Sequence, residues 1–371
     1  MQPKIRFVDK DQSQFFATVK TRVDQYFTDN NISKNANTAM VLKTIFYLGG
    51  FVGIYLILMT QSQVLSLPVM FMLALLLGAF AAFIGFNVCH DAIHGSFSSK
   101  PWVNSMLSYV FNLIGANYKV WEATHNVVHH TYTNIKGHDE DIEVAPGLLR
   151  MHKEDKITKI QRWQHIYAFA LYGLASFSWV FRKDFVKFFS PIVKQYARPT
   201  RREHIELFVY KGIYYFLFIV LPLVVMDITW YQYIIGFLFM HISEGLILGL
   251  VFQLAHVVED TDFPVPNEKN QIEAAWAVHQ METTANFSSN SPLATFLCGG
   301  LNMQVEHHLF PKICHIHYPA ISEIVKTTAL EYGVPYNENA TFLIALKSHY
   351  QVLKKFSMDA RNLGKVASVA G

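Results

Sequence analysis

The chain has 371 residues, of which 51% are hydrophobic and only 16% charged, a composition typical of a membrane protein. The net charge of +3 is small and the basic residues are spread along the chain, which excludes a basic nucleic-acid-binding protein. The cysteines Cys89, Cys298 and Cys314 lie far apart without a CxxC pair, which excludes a disulfide framework or zinc ribbon and favours a reducing cytosolic face.

Residues 1–38 are polar and are predicted to form a cytosolic N-terminal segment. They lack the apolar stretch of a cleaved signal peptide. A short amphipathic stretch runs from Phe15 to Phe27, and the segment is too short for an appended electron-transfer domain. We expect a membrane domain over residues 39–320 and a cytosolic C-terminal segment over residues 321–371.

Four apolar runs reach the roughly 20 residues that a membrane helix requires. They cover residues 40–60, 67–88, 207–226 and 231–256. The linker within each pair of runs is short and contains no Lys or Arg, so the pattern predicts two helical hairpins. Lysines and arginines outside the runs lie in the N-terminal segment, the central loop and the C-terminal region, all of which the positive-inside rule assigns to the cytosol.

Two further apolar stretches are predicted not to cross the membrane. Residues 102–116 are too few, which indicates a re-entrant or interfacial segment. Residues 163–181 are aromatic-rich and amphipathic and precede Arg182 and Lys183, a pattern typical of a helix on the membrane surface. The sequence therefore predicts an all-α, multi-pass membrane protein with four transmembrane helices in two hairpins, a cytosolic helical cap and both termini in the cytosol.

Histidines are clustered in three short strings. HDAIH at 90–94, HNVVHH at 125–130 and QVEHH at 304–308 contain seven of the 17 histidines. In the first two strings, histidines at i and i+4 share one face of a helix. With His256, at the end of the fourth apolar run, they are too many for one metal ion and suit two, although imidazole does not choose among iron, copper, zinc and nickel. The candidate ligands are His90, His94, His125, His129, His130, His256, His307 and His308.

The three strings, in this order and separated by hydrophobic segments, resemble the histidine boxes of membrane fatty acid desaturases. Gln304 stands where the third box usually begins with histidine, which resembles the front-end subgroup of delta-5, delta-6 and linoleoyl-CoA desaturases. The strings HHTYTN, QMETTAN and EHHLFP agree with that subgroup. Its members act between an existing double bond and the carboxyl end of the acyl chain. The resemblance extends from about residue 86 to residue 311.

This resemblance implies two iron ions held by the box histidines, dioxygen as co-substrate, and a fatty acyl-CoA or acyl-lipid as substrate. Desaturation removes two hydrogens from neighbouring methylenes and needs two external electrons and a channel that excludes water. Many front-end relatives carry a fused cytochrome b5 domain marked by an HPGG string, which this sequence does not contain. We therefore expect a separate electron donor, either ferredoxin or cytochrome b5 with its reductase.

Several polar residues outside the histidine strings are candidates for supporting roles. Gln304 is a candidate catalytic residue that ligates metal directly or through water. Carboxylates beside the boxes are candidates to accept hydrogen bonds from ligating imidazoles, namely Asp91, Glu122, Glu306, Asp139 and Asp141. His315 and His317 are predicted to lie in a solvated loop. Arg150 and Lys183, among other central-loop cations, suit coenzyme A phosphates or anionic lipid headgroups.

Three alternatives stay open at this point. A membrane hydroxylase on the same scaffold also begins with hydrogen abstraction, although QVEHH favours desaturation. A zinc-holding membrane receptor or a metal transporter also requires clustered ligands. A transporter is expected to place them near the bilayer midplane, whereas these strings lie beyond the ends of the apolar runs.

Overall fold

A computed structural model describes residues 4–9, 13–140, 145–152 and 155–369, which are mostly helical. The α-helices are Ser13–Asp29, Thr38–Thr60, Leu67–Ile84, His90–His94, Pro101–Leu113, Tyr118–Trp121, His130–Tyr132, Gln164–Gly173, Ala175–Ser178, Asp184–Phe188, Pro191–Tyr196, Arg201–Tyr215, Leu221–Val225, Trp230–His256, Trp276–Thr283, Pro292–Cys298, Gln304–Leu309, Tyr318–Glu331 and Phe342–Val369. The π-helices are Gly85–Cys89, Glu122–His129, Trp179–Lys183 and Phe216–Val220, and the 3-10 helices are Ile160–Trp163 and His315–His317.

Four helices in the described part of the chain are long and apolar enough to cross a membrane. They are Thr38–Thr60, Leu67–His94, Arg201–Val225 and Trp230–His256, where the second and third include a π-helical turn. These helices agree with the four predicted apolar runs. The second helix continues further than predicted, through the first histidine string. The third begins earlier, at Arg201, because a capping box of Thr200 and Glu203 satisfies its first backbone amides.

The second and fourth long helices run parallel along each other. Phe71 lies against Gly236 near their starts, and the rings of Phe86 and Phe252 are 5.9 Å apart near their ends. The two backbones approach each other most closely at Gly78. A Cβ atom at this position would clash with the backbone carbonyl group of Met240, so only glycine fits there. Small residues permit this close packing of apolar helices. As a result, the C-terminal ends of both helices, which carry histidines, lie at the same end of the pair.

The segment over residues 164–183 packs lengthwise against the fourth long helix. Tyr172 lies over Gly249, and a Cβ on Gly245 would meet the carbonyl groups of Tyr172 and Gly173. Further along, Ser176 contacts His241, and Phe181 lies beside the same histidine. The predicted position of this segment on the membrane surface stays a prediction. The close contact with the fourth helix is possible because glycines of that helix face the segment. The amphipathic pattern of the segment does not predict which helix it packs against.

The N-terminal helix confirms the predicted amphipathic stretch. Phe15, Val19, Val23 and Phe27 recur every fourth residue, are all buried, and pack against helix Tyr318–Glu331. The all-α prediction omitted two short parallel strand pairs, Arg6–Phe7 with Gln271–Ile272 and Asn286–Phe287 with Glu338–Asn339. These pairs join segments that are distant in sequence. The division into segments 1–38, 39–320 and 321–371 stays a prediction.

Candidate metal centre

The first histidine string lies at the C-terminal end of the second long helix. His90 and His94 occupy the α-helical turn that follows the π-helix Gly85–Cys89, and their ring centroids are 4.7 Å apart. The predicted i, i+4 stacking on one helix face is therefore confirmed. π-Helical turns are rare and frequently occur at functional sites.

The second string departs from the predicted α-helical geometry. It lies on the π-helix Glu122–His129, where hydrogen bonds run from i to i+5. The wider turn brings His130 over His125, and their Nε2 atoms are 3.3 Å apart. The indole of Trp121 stacks on the His125 ring with centroids 4.0 Å apart and an angle of 16°. The π-helix and the α-helical turn His130–Tyr132 that follows it thus bring all three histidines of the string together.

The third string forms the short helix Gln304–Leu309, and His256 is the last residue of the fourth long helix. The Asn286 side chain anchors the start of the short helix by accepting a hydrogen bond from the Val305 amide at 2.9 Å. His256 lies beside this helix, with its ring centroid 5.0 Å from that of His308. All eight histidines selected from the sequence therefore come together.

The eight histidines form two adjacent groups. The ring nitrogens of His90, His94, His125 and His307 lie within 4.8 Å of one another, and so do those of His129, His256 and His308. His130 lies between the groups, because its ring nitrogen is within the same distance of those of His307 and His308. Two clusters of ligand atoms that share a border can hold two metal ions.

These imidazoles are buried, which disfavours the charged form of a ring. Each of the eight is at most 5% exposed. Burial, followed by repulsion from His125, keeps the pKa of His130 well below its ordinary value. Burial and repulsion from neighbouring histidines also lower the pKa of His307 and His308 well below that value. Neutral rings keep a lone pair free for a metal ion.

Partners outside the boxes hold the Nδ1 side of four rings. His129 Nδ1 donates to Asp139 at 2.9 Å, and His308 Nδ1 donates to the Gln280 carbonyl oxygen at 2.7 Å. His256 Nδ1 donates to the Thr283 carbonyl at 3.2 Å, and His307 Nδ1 lies 3.2 Å from the Tyr318 hydroxyl. Such bonds leave Nε2 as the ligand atom and fix the orientation of the ring.

The remaining ring nitrogens fit a bound cation. Among the described residues, both nitrogens of His90, Nε2 of His94, Nδ1 of His130 and Nε2 of His307 are buried without a hydrogen-bond partner. A buried polar atom without a partner destabilises a fold by about 1–3 kcal/mol. Metal ligation through one nitrogen of each ring would satisfy several of these atoms together.

Gln304 lies in the second histidine group. Its Nε2 donates to His256 Nε2 at 2.9 Å and lies 3.3 Å from His308 Nε2. Its side chain is buried, and its Oε1 atom has no hydrogen-bond partner in the described part of the chain. Rotating the amide by 180° would bring Oε1 to the position beside the two imidazoles.

Five carboxylates were predicted as candidate hydrogen-bond acceptors for the box histidines. The prediction is confirmed for Asp139, which accepts from His129. Asp91 instead accepts from His315 and Cys314, and Glu122 pairs with Lys119 at 2.9 Å near the surface. Glu306 accepts from Asn286 and Tyr336, and burial raises its pKa to about 7 against the effect of these two bonds. These three do not hold a box histidine because their helices point them away from the centre. Asp141 lies outside the described residues.

The solvated loop predicted for His315 and His317 is wrong. His315 is fully buried, donates from Nδ1 to Asp91 at 2.7 Å and accepts from Lys43 at 3.1 Å. His317 Nε2 donates to the Asn35 carbonyl at 2.9 Å. The loop after the third string folds back between the first string and the start of the first long helix, which buries its polar residues as mutual partners.

Arg150 also differs from its predicted role. Its side chain is buried and forms an ion pair with Asp359 at 2.9 Å, so it does not face a headgroup. The helix Phe342–Val369 supplies this partner. Arg150 lies in a polar stretch of the sequence, but in the structure it forms a buried ion pair within the protein.

The sequence analysis did not predict that Gln280, Thr283 and Tyr318 contact the histidines. Gln280 and Thr283 belong to the QMETTAN string, which already agreed with one desaturase subgroup. The QMETTAN string could therefore have marked Gln280 as a candidate site residue. Thr283 acts through its backbone carbonyl, and Tyr318 has no motif that marks it.

Comparisons with known proteins agree with this arrangement. The family model described as fatty acid desaturase matches residues 66–340, most of the chain. The chain belongs to the fatty acid desaturase family. An acyl-lipid (8-3)-desaturase from Physcomitrium patens is 36% identical over 95% of this chain and 74% of its own length. An sn-1 linoleoyl-lipid 6-desaturase from Synechocystis sp. is 35% identical over 95% of this chain and 97% of its own length.

A third desaturase relative, an acyl-lipid (8-3)-desaturase from Mortierella alpina, is 32% identical over 92% of this chain and 77% of its own length. The predicted resemblance to front-end desaturases is confirmed. The desaturase is an oxidoreductase and a membrane protein of a metal-dependent family. The receptor, transporter and hydroxylase alternatives are not supported by these relatives.

Proposed function

We propose that the desaturase holds two iron ions, one at each histidine group, and uses dioxygen to insert a double bond into the acyl chain of a membrane lipid. The new bond forms between an existing double bond and the carboxyl end. One observation carries this proposal: eight buried histidines present their ring nitrogens in two adjacent groups. His90, His94, His125 and His307 would hold the first ion, and His129, His256 and His308 the second, with His130 at their border.

Bound iron would supply the activation of dioxygen that removes two hydrogens from neighbouring methylenes. The overall reaction converts –CH2–CH2–, O2, two electrons and two protons into –CH=CH– and two molecules of water. The protein contributes a fixed geometry. Asp139 and Gln280 accept hydrogen bonds from the Nδ1 atoms of His129 and His308, which orients both rings with Nε2 available to a metal ion.

The acyl chain would lie in the cavity beside His125. Trp121 and Phe252 line this cavity, and both rings contact His125, with centroids 4.0 and 6.2 Å from it. These two rings give the cavity an apolar wall beside His125. An acyl-lipid is the proposed substrate rather than a fatty acyl-CoA, because the relatives described above are named acyl-lipid and linoleoyl-lipid desaturases.

Gln304 is proposed as a neutral ligand of the second ion. Support comes from its buried position beside the Nε2 atoms of His256 and His308 and from its Oε1 atom, which has no partner in the described chain. An amide oxygen is a weaker donor than imidazole. The second ion would therefore be less electron-rich at this position than with a histidine there.

Electrons are proposed to come from a separate carrier, either ferredoxin or cytochrome b5 with its reductase. An iron–sulfur cluster requires grouped cysteine thiolates, whereas Cys89, Cys298 and Cys314 are free and scattered. The purified desaturase with acyl-lipid, oxygen and NAD(P)H should make no product until the carrier and reductase are added. Turnover without any carrier protein would contradict this part of the proposal.

For topology, we propose two helical hairpins, with the cap, the metal centre and both termini in the cytosol. The linkers at residues 61–66 and 226–229 contain no Lys or Arg, which favours the outer side. The candidate ligands lie at the C-terminal ends of the second and fourth long helices, away from these linkers. The division of the chain at residues 38 and 320 belongs to the same proposal.

Expression in a host that lacks this activity, followed by lipid and metal analysis, tests the function. The wild-type protein should yield a new acyl double bond and contain two iron ions per chain. His307→Ala should lose both iron and product while still inserting in the membrane, because the apolar helices carry insertion. His204→Ala, at an exposed histidine, serves as the matched control. Zinc without product, or a hydroxylated acyl chain, would overturn the proposal.

A further inference from the structure

Two neighbouring cavities lie beside the metal centre. The first contains Trp121 and Phe252 in its wall and adjoins His125. The second lies deeper, among the second long helix, helix Pro101–Leu113 and the fourth long helix. Trp179 and Leu248 line both cavities. These two side chains therefore form the partition between the space at the metal centre and the space beyond it.

The deeper cavity suits the apolar end of a chain. Its walls include the small residues Ala81, Gly85 and Ala116. Glu244 is the one acidic side chain among the lining residues, and its carboxylate accepts a hydrogen bond from Ser176 at 2.5 Å. This partner from the protein satisfies the carboxylate oxygen without a ligand. By contrast, the first cavity includes Lys183 and Lys187 in its lining, and the Lys183 ammonium lies 5.8 Å from the centroid of the Trp179 ring.

The indole of Trp179 is held in a fixed position. Its Nε1 atom donates to Asp184 at 2.8 Å, and Asp184 is fully buried. The other oxygen of this carboxylate pairs with Lys211 at 2.8 Å, and Lys211 donates to the Gly115 carbonyl at 2.6 Å. Both partners are buried, so the bonds are not exchanged with water. A side chain held in this way forms a rigid wall rather than an adaptable one.

We propose that Trp179, together with Leu248, determines how long an acyl chain the desaturase accepts beyond the reacting carbons. The methyl end passes the edge of the indole and enters the deeper cavity, whose small volume limits the number of methylenes that fit. This inference rests on the proposed function. Within that function it assigns a specificity role to a residue outside the histidine boxes and to the ion pair that fixes it.

Hydrophobic pockets distinguish chains that differ by one methylene by roughly 10–200-fold. Removing the indole should therefore change chain-length preference rather than metal binding. Trp179→Ala joins the two cavities and should favour longer chains. Ala81→Leu fills the deeper cavity and should favour shorter chains. Opposite shifts from an enlarging and a filling substitution distinguish a length limit from general damage.

Cells that express each variant are given two polyunsaturated substrates with the same double-bond positions from the carboxyl end and different numbers of methylenes at the methyl end. The measured quantity is the ratio of long to short desaturated product, with protein amount and iron content determined in parallel. Trp179→Ala should raise this ratio by roughly tenfold or more, and Ala81→Leu should lower it. Trp163→Ala, at a tryptophan that is 56% exposed, should leave it unchanged.

Unchanged ratios in both Trp179→Ala and Ala81→Leu, with iron and total activity retained, would overturn the inference. If Trp179→Ala does not accumulate, Leu248→Ala and Trp179→Phe replace it, because each opens the partition with a smaller loss of packing, and the same ratio decides. Absence of desaturated product from the wild-type protein would instead contradict the proposed function. The two failures are therefore distinguishable.

Discussion

Asp139 accepts hydrogen bonds from His129 Nδ1 with both carboxylate oxygens, at 3.0 and 2.9 Å, and both side chains are almost completely buried. The Asn134 backbone amide donates to the same carboxylate at 2.9 Å, which fixes its orientation. A carboxylate on Nδ1 fixes the orientation of the ring and raises the basicity of the Nε2 atom that would ligate a metal ion.

We predict that Asp139→Asn weakens metal binding at the second group by roughly 10–100-fold. The amide keeps the size of the carboxylate but lacks its charge, so His129 becomes a weaker ligand. Iron retained during titration with a chelator measures the effect. Glu122→Gln is the matched control, because Glu122 lies beside the same string but pairs with Lys119 near the surface. Equal iron retention in the two variants would contradict the assigned role of Asp139.

Gln280 should be required for the orientation of His308. Its carbonyl oxygen accepts from His308 Nδ1 at 2.7 Å, so Gln280→Leu removes the acceptor while keeping similar bulk. We expect iron affinity and turnover to fall by roughly 10–100-fold. Gln280→Glu retains an acceptor and should keep more of both. Gln25→Leu, at an exposed glutamine, controls for the substitution itself. The idea fails if leucine and glutamate variants bind iron equally well.

Gln304→Ala should reduce turnover at least as strongly as Gln280→Leu, since it removes the polar atoms beside His256 and His308. Gln304→His should keep part of the activity, because imidazole also ligates iron. Turnover per bound iron, measured for both variants, separates a ligand from a residue that only packs. Unchanged turnover in the alanine variant would place Gln304 outside the ligand set.

Topology is testable at two exposed positions. Val64 in the first linker is 81% exposed, and Lys269 is exposed near the strand Gln271–Ile272. In a Cys298→Ser background, Val64→Cys should react with a membrane-impermeant maleimide on intact cells, and Lys269→Cys only after permeabilisation. The two buried native cysteines should contribute little labelling. Labelling of Lys269→Cys on intact cells would contradict a cytosolic metal centre.

The sequence alone determined the four apolar helices and the histidines that come together. Both features are encoded locally, because a run of about 20 apolar residues must hide its backbone in lipid. Likewise, histidines spaced by four residues already share a helix face before any tertiary contact forms. The order of the three strings was specific enough to indicate the family, which the comparisons confirmed.

Tertiary structure decided how these histidines divide and what supports them. The π-helix Glu122–His129 placed His130 over His125, which α-helical spacing does not predict. Gln280 reaches His308 across 28 positions, and His315 meets Asp91 across 224. Trp179 separates two cavities, and the buried ion pair of Asp184 and Lys211 holds its indole in place. Such contacts depend on how distant helices pack, and periodicity within one segment carries no information about which segment will lie against it.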